Sequence, residues 1–213
     1  MAAIFPPWTR HLRLILAIGI PLKLTVLVLA AWYWFSPKFT DVGYAPEQPV
    51  AYSHKLHAGD LGIDCRYCHD TVEEAAWAAL PPTATCMNCH KAVLKDSPKL
   101  ARVRESYATG SPIPWVRIHK IPDYARFDHS VHVTAGVGCA SCHGRIDQMK
   151  VVYQAEPLSM GWCLDCHRNP TPNLRPLGEV THMSWQRPTT VAPAESLGPR
   201  AVLPPVHCSG CHQ

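Results

Sequence analysis

Ten cysteines fall into five pairs along this 213-residue chain, each pair spaced by two residues and followed at once by a histidine. The runs are Cys65-Arg66-Tyr67-Cys68-His69, Cys86-Met87-Asn88-Cys89-His90, Cys139-Ala140-Ser141-Cys142-His143, Cys163-Leu164-Asp165-Cys166-His167 and Cys208-Ser209-Gly210-Cys211-His212. At this spacing both thiols lie on one turn of backbone with the imidazole next in line. The trio can add its sulfurs across two porphyrin vinyl groups and set the histidine beneath the iron, which is c-type haem attachment. Zinc is the rival reading. Cys68 and Cys86 are separated by 17 residues and Cys142 and Cys163 by 20, within the range of a four-cysteine ribbon. Four thiolates need no histidine after each pair, and disulfides closing two-residue loops constrain little. With 13 histidines in 213 residues, chance would fill all five positions with odds on the order of one in a million.

A second pattern supplies the opposite axial positions. Tyr52-Ser53-His54-Lys55-Leu56-His57 precedes the first two motifs, and Phe127-Asp128-His129-Ser130-Val131-His132 precedes the next two. Residues 52–90 and 127–167 thus read as a duplicated unit, with 170–213 as a terminal haem segment. Two histidines three apart present both imidazoles from one helical turn. One can cap the haem of its own unit while the other reaches a neighbour, which packs the haems closely enough for electron transfer.

The proximal set is His69, His90, His143, His167 and His212. Apart from these and His11, seven histidines remain for five distal places. His54 is expected to cap the first haem and His129 the third, with His57, His119 and His132 capping neighbours. His182 and His207 are weaker candidates, because a lone histidine is more often surface or core, and His207 abuts Cys208. Met149, Met160 and Met183 could serve as thioether ligands, although methionine more often fills cores. Met87 lies inside a haem loop and is poorly placed.

These sites must be carried by something, and the first 36 residues look different from the rest. Leu12 to Phe35 is about the ~20 apolar residues needed to cross a bilayer. Arg10, His11 and Arg13 lie at its start and Trp32-Tyr33-Trp34-Phe35 at its end, as in a positive-inside anchor with an aromatic belt. A cleaved signal would want a small-residue site after a shorter apolar core, and bulky residues stand there instead. Residues 1–36 are therefore expected to form a cytoplasmic tip and single inner-membrane span. Residues 37–213 then form a pentahaem electron-transfer domain on the periplasmic side. Lys23 sits mid-span two residues after Pro21, where a charge costs roughly 2.5–3.5 kcal/mol. It is expected to face a partner subunit in the membrane.

Composition limits the rest. The 21 prolines disfavour long regular elements, and a formal net charge of +4 says little about partners. Membrane lipid and protein subunits are the expected partners, with no nucleic acid. Thr71 to Leu80 reads as the clearest soluble helix, stopped by Pro81-Pro82. Residues 96–118 read as a connector, and 170–206, with eight prolines, as an extended run towards the last haem. The fold expected is a multihaem cytochrome c: short helices and irregular loops around five haems that serve as the core, plus one N-terminal transmembrane helix.

The anchor, the two repeat units and the terminal haem together resemble the pentahaem cytochrome c subunit of alternative complex III, over nearly the whole chain. Pro114-Trp115-Val116-Arg117-Ile118-His119, Phe127 to Gly144 and Met160-Gly161-Trp162-Cys163-Leu164-Asp165-Cys166-His167-Arg168 are the most specific stretches. The histidine-pair units alone also resemble class III multihaem cytochromes. The resemblance implies an electron-transfer subunit rather than an enzyme. It also implies membrane subunits that oxidise menaquinol and an iron–sulfur subunit, with electrons leaving to a soluble cytochrome c, a blue-copper protein or an oxidase. Two rivals are a multihaem reductase, for example of nitrite, and a free-standing quinol dehydrogenase. The reductase needs an open iron position, often marked by a motif without histidine, and none of the five departs. The dehydrogenase needs a quinone pocket, for which one helix supplies little surface.

Overall fold

The computed structural model describes residues 6–188 and 203–212. Two compact units divide the chain after Thr40. The first is a helix, α1 (Pro7–Trp34), followed by one turn, α2 (Pro37–Thr40). Pro21 lacks a backbone donor, and its ring crowds the carbonyl four residues earlier. The helix accommodates this by widening to a π-helical stretch over Ile15–Gly19. At ~1.5 Å per residue its 28 residues run about 42 Å, longer than the ~30 Å apolar layer of a bilayer. No residue of its apolar window is buried, and Lys23 is exposed among them. Trp34 and Phe39 meet edge to face at 4.6 Å just past its end. Among the described residues α1 is the one helix long and apolar enough to cross a membrane, a property that membrane anchors and secretion signals share.

The second unit is built from short helices: α3 (Cys65–Cys68), α4 (Thr83–His90), α5 (Ala101–Thr109), α6 (His129–Ala135), α7 (Ala140–His143) and α8 (Met160–Arg168). Side chains cap three of them. Asp64 accepts from the Arg66 N–H, Asp128 from Ser130 and Ser159 from Trp162, each satisfying a first-turn donor. Strand pairing among the described residues is a single bridge between Val137 and Leu174. It forms where α6 ends at Gly136, whose φ of +92° only glycine adopts without strain. The turn brings the Gly136 carbonyl onto the Arg175 N–H at 2.7 Å.

Apolar burial is sparse. Met87, Val103 and Ile113 form one cluster with Val50, Cys86, Leu100 and Trp115 packed on it. Met149, Leu174, Val180 and Met183 are the other buried apolar residues among those described.

Three expectations are corrected here. Residues 71–80 form turns rather than a helix. The Thr71 hydroxyl donates to the Trp77 carbonyl and accepts from the Ala79 N–H. The Ala75, Ala76 and Ala79 carbonyls, which a helix would use internally, instead accept from Ser130, His129 and His69. Tertiary partners thus override local propensity. The connector expected at 96–118 contains α5, closed by the left-handed Gly110 and seated by buried Val103 and Ser106. Finally, residues 170–188 do not run extended over the surface. They make 3-10 turns at Thr171–Asn173 and Leu177–Glu179 and bury Leu174 to 2% exposure. Residues 189–202 of that proline-rich run lie outside the described residues.

Candidate haem sites

Four of the five motifs sit on α3, α4, α7 and α8, and the fifth on a 3-10 turn, Cys208–Gly210. The histidine N–H closes the turn on the first cysteine's carbonyl in His69 (Cys65, 2.9 Å), His143 (Cys139, 3.0 Å) and His212 (Cys208, 2.9 Å), and the second and fourth motifs lie within α4 and α8. This winding carries both thiols and the imidazole past one point. No disulfide pairs any of the ten cysteines with another.

The second ring nitrogen is what fits these histidines for iron. Nδ1 donates to a backbone carbonyl in His69 (Ala79, 2.8 Å), His90 (Val93, 2.9 Å), His167 (Pro205, 2.7 Å) and His212 (Tyr124, 3.0 Å). The same holds for His57 (Ser53, 2.9 Å), His129 (Ala76, 2.9 Å) and His132 (Asp128, 2.7 Å). An imidazole whose Nδ1 carries the proton keeps the Nε2 lone pair for a metal. His143 is the exception, its Nδ1 lying 3.4 Å from His119 Nε2. His54 Nδ1 is buried with no hydrogen-bond partner.

The duplicated unit is also duplicated in space. Tyr52 meets His54 edge-on at 4.8 Å and stacks on His57 at 4.5 Å. Phe127 meets His129 edge-on at 4.7 Å and lies against His132 at 4.4 Å. One aromatic ring therefore fixes two imidazoles in each unit. Tyr52→Ala or Phe127→Ala is expected to cost about 1–3 kcal/mol, less than a fully buried ring because both are half-buried. Denaturant midpoints check this, and visible spectra would report loosened histidines.

Distances between rings test the fit to haem. Metal–imidazole bonds are about 2 Å long, so two imidazoles gripping one ion from opposite sides have centroids about 6 Å apart. His57 and His90 are 6.3 Å apart, His132 and His167 6.1 Å, and His129 and His143 6.4 Å. His119 lies closer to His143, at 4.4 Å. Both ring nitrogens of His182 are engaged, Nδ1 by Glu179 at 2.7 Å and Nε2 by Ser184 at 3.1 Å. His207 Nδ1 meets the Ser209 hydroxyl at 3.1 Å. Met149 and Met183 are buried and Met160 is exposed.

Burial favours the neutral form, the one that binds iron, in His54, His119, His132 and His143. His54 is lowered to about 4 by desolvation and then by His69, His57 and His119. His143 is lowered to about 3 by desolvation and then by His119 and His129. Desolvation also lowers His119 and His132. In the unfolded chain these groups titrate near 6.5, so as pH falls the unfolded state takes up protons first. Stability should therefore be full above about pH 6.5 and fall with acid below it, which denaturant midpoints across that range would show.

The sites adjoin one another in a definite sequence. Asn88 in the second motif donates to the Tyr67 hydroxyl in the first at 3.1 Å. Cys65 of the first and Cys139 of the third are close enough for each thiol to shift the other's ionisation. Cys142 of the third is pushed up to about 12 by burial and then by the charges of Cys166 and Cys163 in the fourth. Cys163 in turn feels Cys211 of the fifth. The attachment points therefore run second, first, third, fourth, fifth. Sequence reasoning missed the carbonyls that orient the rings, since every residue has one and no side-chain type marks them.

Paired thiols each followed by an imidazole, carried on short helices with carbonyl-oriented rings, are the features that covalent haem attachment requires. Residues 125–213, which hold three of the five motifs, match the family of cytochrome c7 and related cytochromes c. That match implies several covalently bound haems c. Over 125 residues the chain is 35% identical to the multiheme cytochrome c subunit of menaquinone reductase from Nitratidesulfovibrio vulgaris, a stretch covering 58% of each chain. The chain thus spans less than two thirds of that relative's length.

Proposed function

We propose that the chain is a membrane-anchored, five-haem electron carrier, the cytochrome subunit of a menaquinol-oxidising complex of the alternative complex III type. Residues 1–36 serve as its anchor, and 37–213 as its electron-transfer domain on the outer face of the inner membrane. The ten motif cysteines hold the haems, and His69, His90, His143, His167 and His212 are the proximal ligands. His54 pairs with His69, His57 with His90, His129 with His143 and His132 with His167. Each haem, when bound, supplies a one-electron iron couple. The chain itself fixes the imidazoles, excludes water around them and spaces the sites. Electrons leave to a soluble cytochrome c, a blue-copper protein or an oxidase, and an iron–sulfur subunit and integral membrane subunits are the partners. The protein itself has no substrate chemistry.

The observation that carries this reading is the set of histidine pairs about 6 Å apart, each arising from one motif and one half of a histidine-pair unit. A six-coordinate iron relays electrons but offers no site for a substrate. The test is spectroscopic: the purified protein should contain five covalent haems, and the four with paired histidines should be low-spin and inert to carbon monoxide. His57→Ala should then make one of these four high-spin and able to bind carbon monoxide. A high-spin haem among the four in the unaltered protein would favour a reductase instead.

A second reading concerns direction. The relative's name describes menaquinone reduction, which favours electrons running towards quinone in a complex of that kind. Subunit composition and the sign of turnover with menaquinol and menaquinone separate the two.

A further inference from the structure

Arg175 lies in the segment between the fourth and fifth motifs, yet its guanidinium packs against Gly138, the residue before Cys139. A Cβ at Gly138 would collide with the Arg175 Nε, Cζ and Cδ atoms, so the glycine leaves the cradle that the cation fills. Arg175 is 8% exposed. Its Nη1 donates to the His182 carbonyl at 2.6 Å, and its guanidinium lies 5.4 Å from the Trp185 ring centre. It forms no ion pair among the described residues. Glu179, the acid whose charge reaches it, is bound to His182 Nδ1 at 2.7 Å. Burying a guanidinium without a carboxylate is costly. Desolvation indeed pulls its pKa below the ordinary arginine value. That cost is incurred at the backbone of the third haem motif, beside Cys139.

We propose that Arg175 tunes the haem attached through Cys139 and Cys142, its buried positive charge holding that haem's reduction potential above the value it would have without it. Reduction removes one positive charge from the iron centre, so a fixed cation nearby stabilises the reduced form. In a partly desolvated site such a charge is screened far less than on the surface. Arg175 acts through the field alone and is a positioning charge rather than a ligand.

The inference rests on the haem reading above, and its test separates the two. Arg175→Gln and Arg175→Lys are made in the full-length protein, and covalent haem content is measured before redox titration. With five haems present, R175Q should move one reduction wave to lower potential. At a fixed ambient potential that haem's reduced-to-oxidised ratio should fall about tenfold, which for one electron is about 59 mV. R175K, which keeps the charge, should stay within about twofold of the unaltered protein. If R175Q fails to retain five haems, Arg175→Met, which keeps the apolar stem, is read in the same way. Five unmoved waves in an intact five-haem variant would overturn the role of Arg175, as would equal shifts in R175Q and R175K. Absence of covalent haem from the unaltered protein would overturn the reading beneath it.

Discussion

Made in cells unable to attach haem, residues 41–213 are expected to be unfolded and rapidly cut by protease. Among the described residues only Met87, Val103, Ile113, Met149, Leu174, Val180 and Met183 are buried apolar side chains. Burying such a side chain contributes about 1.5–3 kcal/mol, whereas ordering each residue's backbone costs about 1–2 kcal/mol. Seven such contributions fall far short for a domain of this length. Local structure cannot make up the difference, because α3 and α7 are four residues long and isolated helices below ~12–15 residues are marginal in water. Haem burial must therefore supply most of the folding free energy, as metals do in small metal-dependent domains. Circular dichroism and limited proteolysis of haem-free chain are the measurements. A compact, protease-resistant haem-free domain would contradict the claim.

Gly136→Ala should be among the more damaging single changes outside the motifs, costing about 2–6 kcal/mol. Two independent effects combine. At φ +92° a side chain brings backbone strain of roughly 1–3 kcal/mol. The new methyl would also lie 2.6 Å from the Arg175 carbonyl oxygen, and forced overpacking costs typically about 1–3 kcal/mol. Neither partner can retreat freely, since the Gly136 carbonyl accepts from the Arg175 N–H at 2.7 Å and Val137 bridges Leu174 beside it. Gly110→Ala is the control. Its φ is +73°, but nothing lies within 4 Å of the added methyl, so only the strain of about 1–3 kcal/mol remains. Denaturant midpoints of the two haem-loaded variants should differ accordingly. Equal midpoints would remove the contact with Arg175 from the account.

The residues that do chemistry were legible because their types are rare and their spacing follows one helical turn. The five motifs and the two histidine-pair units needed no knowledge of the fold. The aromatic residue two positions before each pair was legible too, and it clamps both rings in each unit. What could not be read was how the chain joins these pieces. Thr71 to Leu80 has good helix formers, but its Ala75 and Ala76 carbonyls are claimed by residues more than fifty positions away. The proline-rich segment after the fourth motif looked like a surface run, yet it buries Leu174 and Arg175. In both cases long-range partners outweighed local composition, and neither signal resides in the segment itself.

The loop from Thr71 to Leu80 has a wider consequence. Its Ala76 carbonyl orients His129 of the second repeat, and its Ala79 carbonyl orients His69 of the first. Two imidazoles from different halves of the duplication thus hang from the same few peptide units. Lengthening this stretch by one residue would twist both at once, so their two iron environments would change in concert. Neither half could then be excised, or transplanted into another scaffold, with its coordination intact.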